Sequence, residues 1–141
     1  MQPYIEFASR HWELCLAFIL ILTLLIGLEL RVKLSGLAQL SPNDAILLTN
    51  RDQAIILDIR DNAQFAKGHI LGAVNIPGHE LEQKINQLEK AKDKTIIIVH
   101  SAGQPPGKTG VILQNNGFLN VKNLTGGINA WLNANLPLVK E

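Results

Sequence analysis

The apolar positions of this chain change rhythm along its length. Residues 14–28 (LCLAFILILTLLIGL) are apolar almost without a break and carry no charge. From residue 41 onward, short β-branched runs alternate with stretches of helical spacing. Residues 54–59 (AIILDI) and 95–99 (TIIIV) suit strands buried on both faces of a parallel sheet. Residues 73–76 and 121–124 read as shorter strands, the first stopped by Pro77-Gly78. Helical segments lie between them. Ser41-Pro42-Asn43-Asp44 opens one, with Ser41 as N-cap, Pro42 at the first helical position and Asp44 in the first turn. Ala45, Leu47 and Leu48 are its core candidates. Residues 80–90 form an expected amphipathic helix, with Leu81, Ile85 and Leu88 on one face and a supportive Glu80–Lys84 pair. Residues 107–116 predict another, which packs Val111, Ile112 and Leu113 onto the sheet and ends at Gly117 in a left-handed cap. Gly126-Gly127 opens a last short helix bearing Ile128, Trp131 and Leu132. Strands alternating with helices predict an α/β domain around a central, mostly parallel sheet.

The uncharged stretch changes the picture for the N-terminus. Extended from Trp12 to Leu30, it covers roughly 28 Å as a helix, close to the thickness of a hydrocarbon core. Trp12 and Tyr4 sit where interfacial aromatics are favoured, and Glu13 and Glu29 mark the rims. A signal peptide fits less well. Glu29, Arg31 and Lys33 separate the apolar run from any small-residue cleavage site. The expected organisation is an N-terminal tail (1–11), one transmembrane helix (12–30), a juxtamembrane linker (31–40) and a globular domain (41–141). Arg31 and Lys33 after the span, against Arg10 and the terminal amine before it, place that domain in the cytoplasm, with the span in the inner (plasma) membrane. The bilayer is therefore one expected partner, and a membrane protein of unknown identity another.

Composition adds exclusions. A net charge of +1 offers nothing to nucleic acid. The one cysteine, Cys15, rules out an intramolecular disulfide and any cysteine-based metal site. No cofactor and no metal are expected. Cys15 lies within the apolar run, where a thiol behaves as a small hydrophobe.

Asp58-Ile59-Arg60, then Phe65, then Gly68-His69-Ile70 with Ala73-Val74-Asn75-Ile76-Pro77, resembles the signature of rhodanese-like domains. Gly117-Phe118, Val121, Gly126-Gly127-Ile128, Ala130-Trp131 and Pro137 resemble the family's closing pattern. The resemblance spans residues 41–138 and implies a rhodanese-like three-layer fold. Together with the N-terminal span it is similar to the membrane-anchored bacterial members of the family. Asp58, Arg60, Gly68 and His69 are then structural motif residues: the first two brace loops at the sheet edge, and His69 is a hydrogen-bonded imidazole. His79 is expected at the surface. The acid that the family often carries before the aromatic is here Gln64, so Arg60 needs another partner.

Chemistry, if any, belongs in the loop after residues 95–99, because ligands of parallel sheets bind past the carboxyl ends of the strands. The resemblance implies a cysteine there, whose persulfide is cradled by backbone amides. Counting back from Gly117-Phe118 places that position on His100. The loop His100-Ser101-Ala102-Gly103-Gln104-Pro105 holds no sulfur, and Pro105 and Pro106 supply no N–H. A persulfide requires a thiolate. The expected function is thus a binding or scaffold module with no catalytic residue, whose binding set is His100, Ser101, Ala102, Gly103, Gln104, Lys108 and Thr109. The competing reading is a sulfurtransferase with atypical or residual activity, or other chemistry on His100. Residues 102–109 also fit a relaxed P-loop pattern. Two prolines in the loop and the lack of a following apolar strand ending in Asp weigh against nucleotide. A small anion held by Lys108, Thr109 and the helix N-terminus remains as a weaker form.

Overall fold

The computed structural model describes residues 6–7, 9–34 and 36–140, with the side chains of residues 28–34 left out. Two compact units divide the chain, residues 1–36 and 37–141.

The N-terminal unit contains helix α1 (Trp12–Leu34). Its described apolar side chains are exposed in this chain on its own, Leu14 and Phe18 among them. Among the described residues no helix is long and apolar enough to cross a membrane. The expected span at 12–30 runs past Gly27, the last side chain described there, so the side chains at its far end are not described, and Tyr4 lies outside the described residues.

The second unit is built on a five-stranded sheet of order β1-β5-β4-β2-β3, in which every pairing is parallel. The strands are β1 (Ala38–Leu40), β2 (Ala54–Asp58), β3 (Val74–Asn75), β4 (Thr95–Val99) and β5 (Val121–Leu124). The helices are α2 (Pro42–Asn50), α3 (Asn62–Lys67), α4 (Leu81–Lys84), α5 (Gly107–Asn115) and α6 (Gly127–Asn133). The β-branched runs of β2 and β4 sit at the centre of the sheet, and their alternate residues feed opposite faces. Leu57, Ile96 and Ile98 pack with Leu81, Leu88, Leu113 and Phe118 on one side. Ile56, Ile97 and Val99 pack with Ala45, Ile128 and Trp131 on the other. The parallel sheet is the one expected from the alternating pattern, and the three layers are those that the family resemblance implied.

Local chemistry sets the ends of the elements. Ser41 caps α2 by accepting from the Asp44 amide, with Pro42 in the first turn. Gly117 ends α5 with φ +88°. Trp131 is buried and donates its indole N–H to the Pro137 carbonyl at 3.1 Å.

The structure departs from the sequence expectations in several places. Ala38–Leu40, assigned to the linker, is an edge strand paired with β5. Only Leu40 of its three residues is buried, so no alternation marks it. Residues 80–90 are not one α-helix: after α4 the chain tightens into a 3-10 helix, Ile85–Ala91. Ile85, Leu88 and Ala91 recur every third residue, and a helix of three residues per turn stacks them on one face. Leu47 and Val111 were core candidates but are exposed, leaving Ile112 and Leu113 to hold α5 on the sheet. The Glu80–Lys84 pair forms, and the Lys84 hydrogen bond holds the Glu80 carboxyl below its usual range.

Candidate functional site

The loops that leave the carboxyl ends of β2 and β4 meet beside the N-termini of α5 and α6. The β2 loop is fixed from within. Asp58 and Arg60 are both buried, and the Arg60 side chain reaches back to the carboxylate two residues earlier. Its Nε lies 3.0 and 3.1 Å from the two carboxylate oxygens, and its Nη2 lies 2.7 Å from Oδ2. Nη2 also donates to the Gly68 carbonyl at 2.9 Å, and the Arg60 amide donates to Asp58 Oδ1 at 3.0 Å. Asp58 thus supplies the counter-charge that Gln64 does not. Asn75 adds a brace by donating to the carbonyls of Asp58 and Arg60 at 3.0 and 2.9 Å. A buried charge pair persists only when its buried hydrogen-bonding groups are satisfied, and no buried side-chain oxygen or nitrogen of this pair lacks a partner.

His69 is structural. Its ring stacks on Phe65 with centroids 3.8 Å apart, and Nδ1 lies 3.0 Å from the Phe65 carbonyl oxygen. Its backbone exchanges two hydrogen bonds with Val139, which ties the C-terminal segment down. His79 is exposed, as expected, and lies 3.5 Å from Glu80.

The loop between β4 and α5 is filled by its own side chains. Gly103, at φ +80°, lets the Gln104 amide donate back to the Ser101 carbonyl and close a turn. The Gln104 side chain then folds inward. Its Oε1 accepts from the Ser101 amide at 3.4 Å and lies 3.5 Å from the Ser101 hydroxyl. Its Nε2 donates to the Ile59 carbonyl at 3.0 Å, tying the β4 loop to the β2 loop. His100 Nδ1 lies 2.9 Å from the Ser101 carbonyl oxygen. A carbonyl only accepts, so that nitrogen carries the proton, while Nε2 is buried with no hydrogen-bond partner among the described residues. The His100 carbonyl accepts from the Ile128 amide at 3.0 Å, joining the loop to the start of α6.

Two clefts flank the loop. The first, about 560 Å³, is lined by Arg60, Gln64, Lys67, Ser101, Ala102 and Asn129 with apolar neighbours. The second, about 330 Å³, is lined by Ile59, Gly78, His79, Gln104, Lys108 and Thr109 together with Pro105. The predicted binding set is therefore divided: Ser101 and Ala102 face one cleft, Gln104, Lys108 and Thr109 the other, and His100 and Gly103 line neither. Lys67 and Asn129 were missed by sequence reasoning, because nothing in their spacing separates them from other exposed polar residues. Among the described residues no group of three or more His, Cys, Asp or Glu could hold a metal.

Comparison with known proteins gives a consistent result. A family model for the rhodanese-like domain matches residues 41–134. The chain is 32% identical over 141 residues to the uncharacterized protein YibN of Escherichia coli K12, covering 99% of each chain. It is 33% identical over 102 residues to the thiosulfate sulfurtransferase GlpE of Shewanella oneidensis, covering 72% of this chain and 99% of that one. Among solved structures, a full-length protein from Lactobacillus plantarum superposes with a TM-score of 0.66 over 82% of this chain and 97% of its own. At 22% identity that likeness speaks for the fold alone.

Proposed function

This chain belongs to the rhodanese-like domain family, whose members include sulfurtransferases, and from that premise we propose that it is a membrane-tethered binding or scaffold module without persulfide chemistry. One observation carries the reading. The loop from His100 to Pro106, where the family's nucleophile belongs, contains no sulfur, and the only thiol of the chain is Cys15. Sulfur transfer needs a thiolate that an incoming donor can reach. His100 stands at that position, but its ring is turned toward the Ser101 carbonyl and lines neither cleft. The amides that would cradle an anionic sulfur are also depleted. Pro105 and Pro106 have none, and the Ser101 amide faces Gln104 Oε1.

Tethering rests on the uncharged run at residues 14–28. Residues 12–30 are read as a single span and 41–141 as the domain, held at the cytoplasmic face of the inner membrane by Arg31 and Lys33. A domain kept beside the bilayer meets membrane proteins first, and such a protein is the proposed partner. Extraction of membranes with alkaline carbonate tests the anchor: the full chain is expected in the pellet, and release to the supernatant overturns the tether.

The chemical half is tested by a thiosulfate:cyanide assay on the full chain in detergent micelles. Turnover equal to that of a heat-denatured control is expected, and turnover clearly above it overturns the proposal. His100→Cys alone is expected to leave turnover at the same background, since a new thiol still meets two prolines and the inward Gln104. A rise in that variant to measurable sulfur transfer would show that the depleted amides do not matter.

A further inference from the structure

The smaller cleft has features that the binding-module reading does not use. It opens at the N-terminus of α5, whose N-cap position is Pro106, with no side chain capping the helix. The first-turn amides of Gly107, Lys108 and Thr109 make no hydrogen bond among the described residues. They leave a cluster of donors at the positive end of the helix dipole.

Thr109 supplies an independent observation. It is 4% exposed, lines the cleft, and its hydroxyl makes no hydrogen bond among the described residues. Thr49, in α2, shows the usual alternative, donating to the carbonyl four residues earlier at 2.7 Å. The Thr109 side chain is buried, yet its oxygen is not among the enclosed polar atoms that lack a partner, so the hydroxyl is the part of the residue that reaches the cleft, on the side of Gly78. Lys108 adds a full positive charge at the same mouth, and no carboxylate lines the cleft.

We propose that this cleft binds a phosphate-class oxyanion through the Lys108 ammonium, the Thr109 hydroxyl and the first-turn amides of α5. Helix N-termini favour such anions, and a hydroxyl plus an ammonium complete the donor set. The site shares no lining residue with the cleft at Ser101 and Ala102, so it stands whether or not the domain transfers sulfur. The anion is either free or the terminal group of a lipid headgroup.

The test uses the full chain in detergent micelles, titrated with inorganic phosphate against chloride at matched ionic strength, with backbone amide shifts as readout. Saturable shifts at residues 107–109 are expected with phosphate only. Lys108→Gln and Thr109→Val are each expected to weaken the affinity about tenfold, the size of one lost charge-assisted hydrogen bond. Gly78→Ala provides a variant that preserves the fold, since its methyl would sit 3.9 Å from Thr109 Oγ1 and 3.7 Å from Gln104 Nε2 in ordinary contact. It is expected to crowd the anion out. A second arm places the chain in nanodiscs with or without phosphatidic acid. Amide protection by that lipid, reversed by free phosphate, assigns a headgroup; protection by free phosphate alone assigns a soluble anion. Absence of saturable shifts in both arms, or equal affinity in the parent and both donor variants, overturns the site.

Discussion

Replacing Asp58 by alanine will lower the stability of the domain by about 3–5 kcal/mol, because it leaves a buried arginine without its counter-charge. Asp58 is fully buried and Arg60 nearly so, and the carboxylate receives the arginine's amide, Nε and Nη2. The remaining Gly68 carbonyl cannot balance a full charge. In a domain of this size a loss of that order lowers the melting temperature by more than about 10 °C. Removal of Arg60 instead leaves a carboxylate that still accepts one backbone amide, so it is expected to be as damaging or slightly less. The double replacement Asp58→Leu with Arg60→Met is the informative variant. If the pair itself mattered little beyond its desolvation, the double variant recovers most of the loss; a double variant as unstable as the sum of the singles would show that each residue acts independently. Thermal melts of the full chain and the three variants, followed by circular dichroism, decide this.

That pair also shows how far the sequence could be read. The order of motifs from Asp58 to Pro137 was enough to expect a rhodanese-like fold, and Gln64 in place of an acid was enough to require a new partner for Arg60. Which residue that partner is depends on the loop curling back by two residues, and no periodicity encodes it. The central strands were legible because burial on both faces demands unbroken apolar runs. The edge strand Ala38–Leu40 was not, since an edge pairs on one side only and buries a single side chain. At residues 80–91 the apolar spacing suited both helix types until Ala91 was placed in the core. The site was half legible. The loop, its two prolines and its lack of sulfur could be read directly, whereas the inward turn of Gln104 could not. It is a long-range bond to the Ile59 carbonyl, set by where β2 and β4 bring their loops together.

The same junction makes Gly127 a position that tolerates no side chain. Gly127→Ala is expected to destabilise the domain by about 3–5 kcal/mol, from left-handed backbone strain, a lost hydrogen bond and a displaced loop together. Its φ is +60°, and a methyl built there would lie 2.2 Å from the His100 carbonyl oxygen. That oxygen is backbone and is already held by the Ile128 amide, so it cannot step aside without breaking the tie between the β4 loop and α6. Gly117→Ala is the matched control. Gly117 is also left-handed, at φ +88°, but its nearest atom is the far end of Lys92 at 3.9 Å, so it carries the strain without the clash. It is expected to cost about 1 kcal/mol. Equal losses in the two variants would mean that backbone conformation alone sets the requirement at Gly127 and that the approach of His100 is incidental. A much larger loss at Gly127, with amide shifts spreading into residues 100–104, would place the demand for glycine in the contact between α6 and the loop that follows β4.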